Sequence, residues 1–204
     1  MAGEQIAFRR AATGIPVPEI SRHTDRSRLY LDWPLGQNQI VISSFSPEAL
    51  GSEFGAFGTP VSATTWPTAD QAIFVPFVVY NPLTIVKLGF YNGATASGNI
   101  DVGIYDEAGV LLVSAGSTAQ AGTSGVQSFD VTDTALNPGL HYLAAALDNT
   151  TGTFQRPNVA TVQLHGAMGI LSMATAFPLP STATMAAAVD VACPFILATQ
   201  RTLI

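Results

Sequence analysis

The sequence predicts an all-β protein, an antiparallel β-sandwich or jelly roll that carries an extended N-terminal arm. Three observations predict it. Apolar and polar residues alternate with a period of two in several stretches between residues 71 and 148. Turn-forming clusters separate these stretches at spacings of roughly ten residues. No long stretch carries the helical period that a layer of helices would need.

Residues 1–28 mix Arg, Ser and Thr with the breaks of "TGIPVPEI" and are expected to be an extended arm. In "LYLDWPLGQNQIVISSF", Leu29–Leu31 and Gln39–Ile42 are short strand candidates around a Trp-Pro-Leu-Gly turn. In "SPEALGSEFGAFGTP", Ser46 suits the cap of a brief helical turn with Pro47 at its first position, stopped by glycines at 51, 55 and 58. The expected division is an arm and docking segment over 1–70 and a sandwich over 71–204.

Strands are expected at 71–80, 83–92, 98–106, 109–115, 124–132 and 139–148. In the second, Val86, Leu88 and Phe90 form one face, with Lys87, Gly89 and Tyr91 on the other. "SGNIDVGIYDEAGVLLVSAGST" (Ser97 to Thr118) reads as a hairpin. Ile100, Val102 and Ile104 alternate with Asn99, Asp101 and Tyr105, and Asp-Glu-Ala-Gly then hands over to a second apolar run. The connectors Asn81-Pro82, Asn92-Gly93, Asn137-Pro138-Gly139 and Asp148-Asn149 are turn chemistry. Strands near 159–165 and 188–198 would complete the sheets. Between them, the small residues of "GAMGILSMATAFPLPSTATMAAA" suit a close-packed surface or a loop laid across a neighbour.

Charged residues make up 11% of the 204 residues, against about 25% in an ordinary soluble domain. The apolar share is 48% and the mean hydropathy +0.33. So few charges leave two options, a membrane or a surface covered by other chains. Spanning helices need about 20 nearly continuous apolar residues, and the best run, Ala72 to Tyr80, is short and contains Pro76. Membrane insertion is therefore not expected. Nor is a signal peptide, because "MAGEQIAFRRAATG" has no apolar core. The single Cys193 forms no internal disulfide and reads as a small buried hydrophobe, in keeping with assembly in a reducing cytoplasm.

Charge is uneven. Residues 1–28 hold Arg9, Arg10, Arg22, Arg26 and Arg28 against Glu4, Glu19 and Asp25, net +2; residues 29–204 hold Lys87, Arg156 and Arg201 against eleven acids, net −8. An acidic body argues against nucleic-acid binding, which needs clustered Lys and Arg. The five arginines are instead the candidate docking residues for a partner protein, their guanidiniums pairing with carboxylates.

No catalytic residue is expected. His23, His141 and His165 have no metal-type spacing, and the chain has no nucleophile elbow, zinc-protease motif or phosphate-cradling loop. Asp101, Asp106, Glu107, Asp130 and Asp133 would have to converge to make a calcium site or a catalytic pair. "YDEAG" and "DVTD" are ordinary turn strings, so solvated turns are the expected reading. No metal and no cofactor is expected. Trp33, Trp66 and Tyr91 are candidates for stacking on a sugar ring, against the alternative of core or interface aromatics.

Phe74 to Thr153, about 80 residues, resembles a β-sandwich module of tailed-bacteriophage virion proteins. The resemblance lies in Ser97-Gly98-Asn99, Gly103-Ile104-Tyr105-Asp106, Gly116-Ser117-Thr118-Ala119-Gln120 and Pro138-Gly139-Leu140-His141-Tyr142-Leu143-Ala144. It implies a non-enzymatic structural protein of the virion, assembled in the host cytoplasm. A capsid decoration or cement protein on the particle exterior is the leading expectation, with a tail fibre or adsorption protein binding host-surface glycan as the alternative. The implied partners are the major capsid protein or other virion proteins and further copies of the chain.

Overall fold

The computed structural model describes residues 62–156, 169–188 and 192–200, together with the backbone of three short strands before them. Contacts divide the chain into two units, residues 1–39 with Ile204, and residues 40–203. In the first unit β1 (Ile20–Arg22) pairs antiparallel with β2 (Leu29–Leu31), Ile20 opposite Leu31. The segment expected to be an arm thus contains one arm of a two-stranded pairing.

The second unit holds β3 (Val41–Ser43), β4 (Ser62–Thr65), β5 (Ala72–Val79), β6 (Leu83–Tyr91), β7 (Asn99–Asp106), β8 (Leu111–Ser114), β9 (Thr118–Ala119), β10 (Val126–Leu136), β11 (Gly139–Leu147), β12 (Thr153–Arg156), β13 (Leu171–Met173), β14 (Ala186–Ala187) and β15 (Ile196–Gln200). Two of these, β3 and β4, precede residue 71, so the β-rich body extends N-terminal of that position. Its larger sheet has seven strands in the order β14-β13-β5-β11-β7-β8, with β9 also on β7; a four-stranded sheet runs β10-β6-β15-β3, and β12 pairs with β4. Every described pairing is antiparallel, and no helix occurs among the described residues. The fold is all-β and sandwich-like.

Alternation places the core between the two larger sheets. Ile73, Val75, Phe77 and Val79 of β5, Ile100, Val102 and Ile104 of β7, and Leu143, Ala145 and Leu147 of β11 cluster with Ile85, Leu88 and Phe90 of β6, Phe129 and Leu136 of β10, and Ile196 and Ala198 of β15. Each large apolar side chain so buried contributes about 1.5–3 kcal/mol. Cys193 lies in this core at 1% exposure, and burial pushes its thiol up to about 12.

The inward face of β6 departs from the alternation expected for it. Leu88 and Phe90 are buried, but Val86 is only half-buried and its neighbour Ile85 is fully buried. Both ladders of β6 slip at this point. Against β10 the register jumps between Asp130 and Thr134, and against β15 between Thr199 and Gln200. A bulge shifts the phase of a strand and turns the next side chain to the other face.

The larger sheet also has a second core, on its outer face. Residues 174–185, between β13 and β14, form a strap across it. Ala176, Leu179 and Ala183 of the strap pack on Ala72, Phe74, Tyr105, Ala144 and Ala146, with Phe74 and Tyr105 edge to face at 5.3 Å. The strap enters through a cis Phe177–Pro178 bond. Gly103 makes room for it, since a Cβ there would meet Leu179 Cδ1 at 2.8 Å and the Val113 carbonyl at 2.9 Å. The small-residue run is therefore a loop laid across a surface, and that surface is the chain's own sheet. The strand expected at 159–165 lies outside the described residues, and the one at 188–198 begins eight residues later, as β15.

Candidate functional site

Polar groups collect in three places. The first is under the strap. Asp101 points to the outer face of β7 and is 1% exposed. Its Oδ2 accepts the Leu179 N–H at 3.0 Å, whereas Oδ1 has no partner in hydrogen-bonding geometry. Burial raises the Asp101 pKa; the Leu179 amide, Ser114 and the amides of Gly116 and Val102 favour the charged form without offsetting burial. Tyr105, two residues on, donates to the Pro180 carbonyl at 2.6 Å. Its phenol is pushed up by burial and then by the Asp101 charge. Farther along, the Leu111 N–H donates to Ser181 and the Ala183 N–H to Gly109. These bonds pin the strap, and they explain why two polar residues of β7 lie buried.

The second place is the end of the sandwich where β7 begins and β11 finishes. Asn92 is fully buried; its Oδ1 accepts from Gln120 Nε2 at 2.9 Å, and its Nδ2 donates to the Ala121 carbonyl at 2.6 Å and to Gln127 Oε1 at 3.1 Å. Gln120 Nε2 also donates to the Thr153 carbonyl at 3.0 Å, while its Oε1 accepts the Ser97 N–H at 2.9 Å. Asn149 donates to the Ser97 carbonyl and accepts from the Thr151 and Gly152 amides, each at 2.8 Å. Asp148 accepts from the Asn99 amide and side chain, both at 2.9 Å. Burial raises the Asp148 pKa, but the bonds from Asn149 and Asn99 outweigh it and hold the group below the usual carboxylate value. Gly98 sits inside this network at φ +67°, where a Cβ would collide with Asn149 and Asp148. The network ties three loops together, and each amide in it is matched.

The third place is the opposite end. A cleft of about 510 Å³ is lined by Asp106, Glu107 and Ala108 from the β7–β8 turn, Leu112, Ala135, and residues 137–141 around the β10–β11 turn. Asp106 lies directly opposite His141 in the β7–β11 register. Asp106 Oδ1 accepts the Val110 N–H at 2.8 Å, which closes the turn. His141, 6% exposed, sits with Nδ1 3.1 Å from the Gly139 carbonyl and its ring 5.7 Å from that of Phe77. Tyr142 is pushed up by burial and then by the charge of Glu107.

The five carboxylates, expected as solvated turns rather than a cluster, lie apart, and Asp101 is not solvated. Asp101 is sealed under the strap, Asp106 and Glu107 stand at the cleft, and Asp130 and Asp133 lie exposed on β10. Among the described residues no group of three His, Cys, Asp or Glu could hold a metal. Of the two readings of Trp66, a sugar-stacking ring or a core aromatic, the structure has the core aromatic. It is 1% exposed, donates from Nε1 to the Gln71 carbonyl at 2.9 Å and packs edge-on against Phe154, so neither ring face is open to a sugar. Tyr91 is half-buried, with its ring 6.2 Å from Phe195 and its hydroxyl 3.4 Å from the Ser124 carbonyl. Trp33, Arg9, Arg10, Arg26, Arg28, His23 and His165 lie outside the described residues, and of Arg22 only the backbone, in β1, is described.

Asn92, Gln120 and Gln127 were invisible as a group in the sequence, being spread over 36 residues, with Asn92 in a turn string and Gln127 in an expected strand. A buried amide has no local signature in either setting. No protein family, curated protein or solved structure matches this chain.

Proposed function

We propose that the chain is a non-enzymatic structural protein of a bacteriophage particle, placed on the exterior as a capsid decoration or cement protein. The observation that carries this reading is how the body employs its buried polar groups. Asn92, Gln120, Asp101 and Tyr105 each hold a loop or the strap in place, which builds a rigid sandwich rather than a reaction centre. Two features of the sequence support it further. The charged share of 11% leaves much surface suited to contact with other chains, and Phe74 to Thr153 resembles phage virion modules. In this reading apolar contact, worth about 25 cal/mol per Å², is repeated by the symmetry of the particle, and residues 1–28 help attach the body.

Counting copies tests it. Purified particles are digested and this chain is quantified by mass spectrometry against the major shell protein. Hundreds of copies per particle are expected for a decoration protein; absence from the particle overturns the reading. A handful would transfer the chain to the tail. That second reading, an adsorption protein for host-surface glycan, draws on the Tyr91–Phe195 ring pair and requires saturable glycan binding that Tyr91→Ala removes.

A further inference from the structure

The inward face of β7 runs Ile100, Val102, Ile104 and then Asp106, and that of β11 runs back through Leu147, Ala145 and Leu143 to His141. The rule that fills the space between the sheets with apolar side chains therefore breaks at its last register pair. Directly opposed residues of antiparallel strands have Cβ atoms about 4.5–5.5 Å apart, so two ionisable groups meet where the core opens into the cleft. Local departures from a fold's own pattern concentrate at functional sites.

The chemistry of the cleft selects its guest. In a neutral ring, Nδ1 donates to the Gly139 carbonyl, so Nε2 carries a free lone pair. Asp106 keeps acceptor capacity beyond the single bond to Val110, and Glu107 stands exposed beside it. Leu112, Ala135, Pro138 and Leu140 make the walls apolar. Such a site suits a cation that carries several N–H donors on an apolar stem. The planar guanidinium of arginine is that group. The chain itself supplies a source of that group. Residues 1–28 hold five arginines and net +2, against net −8 over residues 29–204, and a chain with only 11% charge has surface to cover with other chains.

We propose that the cleft seats an arginine side chain from residues 1–28 of a second copy of this chain, so that each copy grips its neighbour. The inference does not rest on the particle reading, since it concerns the isolated protein in solution.

Sedimentation velocity of the full-length chain over a range of concentrations tests it, with two variants. One replaces Arg9, Arg10, Arg22, Arg26 and Arg28 with Ser. The other is Asp106→Asn with Glu107→Gln, in which the Asn side-chain oxygen can still accept from Val110. The wild type is expected to self-associate, and less so at high salt. Each variant alone should associate at least about tenfold more weakly. An equimolar mixture should regain mixed pairs, because the arm of one variant and the cleft of the other are intact. Glu107→Gln alone changes only an exposed residue and should weaken association without moving the thermal midpoint. A wild type that stays monomeric, a variant that associates like the wild type, or a mixture no better than its components overturns the proposal.

Discussion

The two ends of the sandwich are built from similar residues put to opposite uses. At one end, Asn92, Gln120, Gln127, Asn149 and Asp148 bond to one another and to loop backbone, and their hydrogen-bonding capacity is directed inward. At the other, Asp106, Glu107 and His141 keep part of theirs facing a cleft. A buried polar group with all its partners rigidifies a fold, whereas one with capacity left over is available to a guest. Polarity alone does not distinguish a staple from a site; spare hydrogen-bonding capacity that faces a cleft does, and the unpartnered Oδ1 of Asp101 is sealed under the strap.

The largest expected effect is at the amide end. Gln120→Ala removes the side-chain oxygen and nitrogen that make three bonds, which leaves Asn92 Oδ1 and the Ser97 N–H without the partner Gln120 gave them, while the Thr153 carbonyl keeps the Gly93 N–H. Unmatched buried groups cost about 1–3 kcal/mol each. Water reaching the loops offsets part of this, so a loss of about 3 kcal/mol is expected, or about 10 °C in thermal midpoint. Differential scanning calorimetry measures it. A drop of a degree or two would mean that the network is decoration on a fold held by its apolar core.

An intermediate effect separates two aspartates by sign. Asp101 has a folded pKa above its unfolded value, so its stabilising contribution is complete below the ordinary carboxylate range and is lost as pH rises through the raised value. Asp148 has a lowered folded pKa; its contribution is present above the ordinary range and is lost as pH falls through the depressed value. Melting curves between about pH 3 and 7 should show Asp101→Asn gaining on the wild type as pH rises. Asp148→Asn should lose ground over the same range. Parallel curves for either variant would remove that aspartate from the pH dependence of the fold.

Asp101 also marks what the sequence could and could not show. Its alternation with Ile100 and Val102 is a local signal, and the strand and its inward face follow from it. That the other face is covered depends on Leu179, 78 residues later, which no local period reports. The same holds for Trp66, whose burial needs Phe154 and Phe90 from distant strands. Long strands with alternation, β5 to β7, β10 and β11, were legible for this reason, and the short β8 through the hairpin turn that precedes it. The strands β9, β13 and β14, of two or three residues, were not, because they exist through their pairing partners rather than their own pattern. Val86 shows the same limit on a smaller scale, since bulges against β10 and β15 reset a phase that looked continuous. Of the cleft, the turns and the acids were readable and His141 was not. Its inward orientation follows from the register with Asp106, which only the folded sheet sets.

The smallest expected effect on stability is at the cleft end, and it is the sharpest test of the comparison. Asp106→Asn with Glu107→Gln should shift unfolding by no more than about 0.5 kcal/mol, because the turn's bond from Val110 is retained and Glu107 is exposed. Urea denaturation of the full chain at a concentration too low for association isolates that term. A loss comparable to that of Gln120→Ala would make the carboxylates staples, and the two ends would then be alike. A near-zero change beside weakened self-association would separate them, since groups that contribute little to the fold would be contributing to contact between copies.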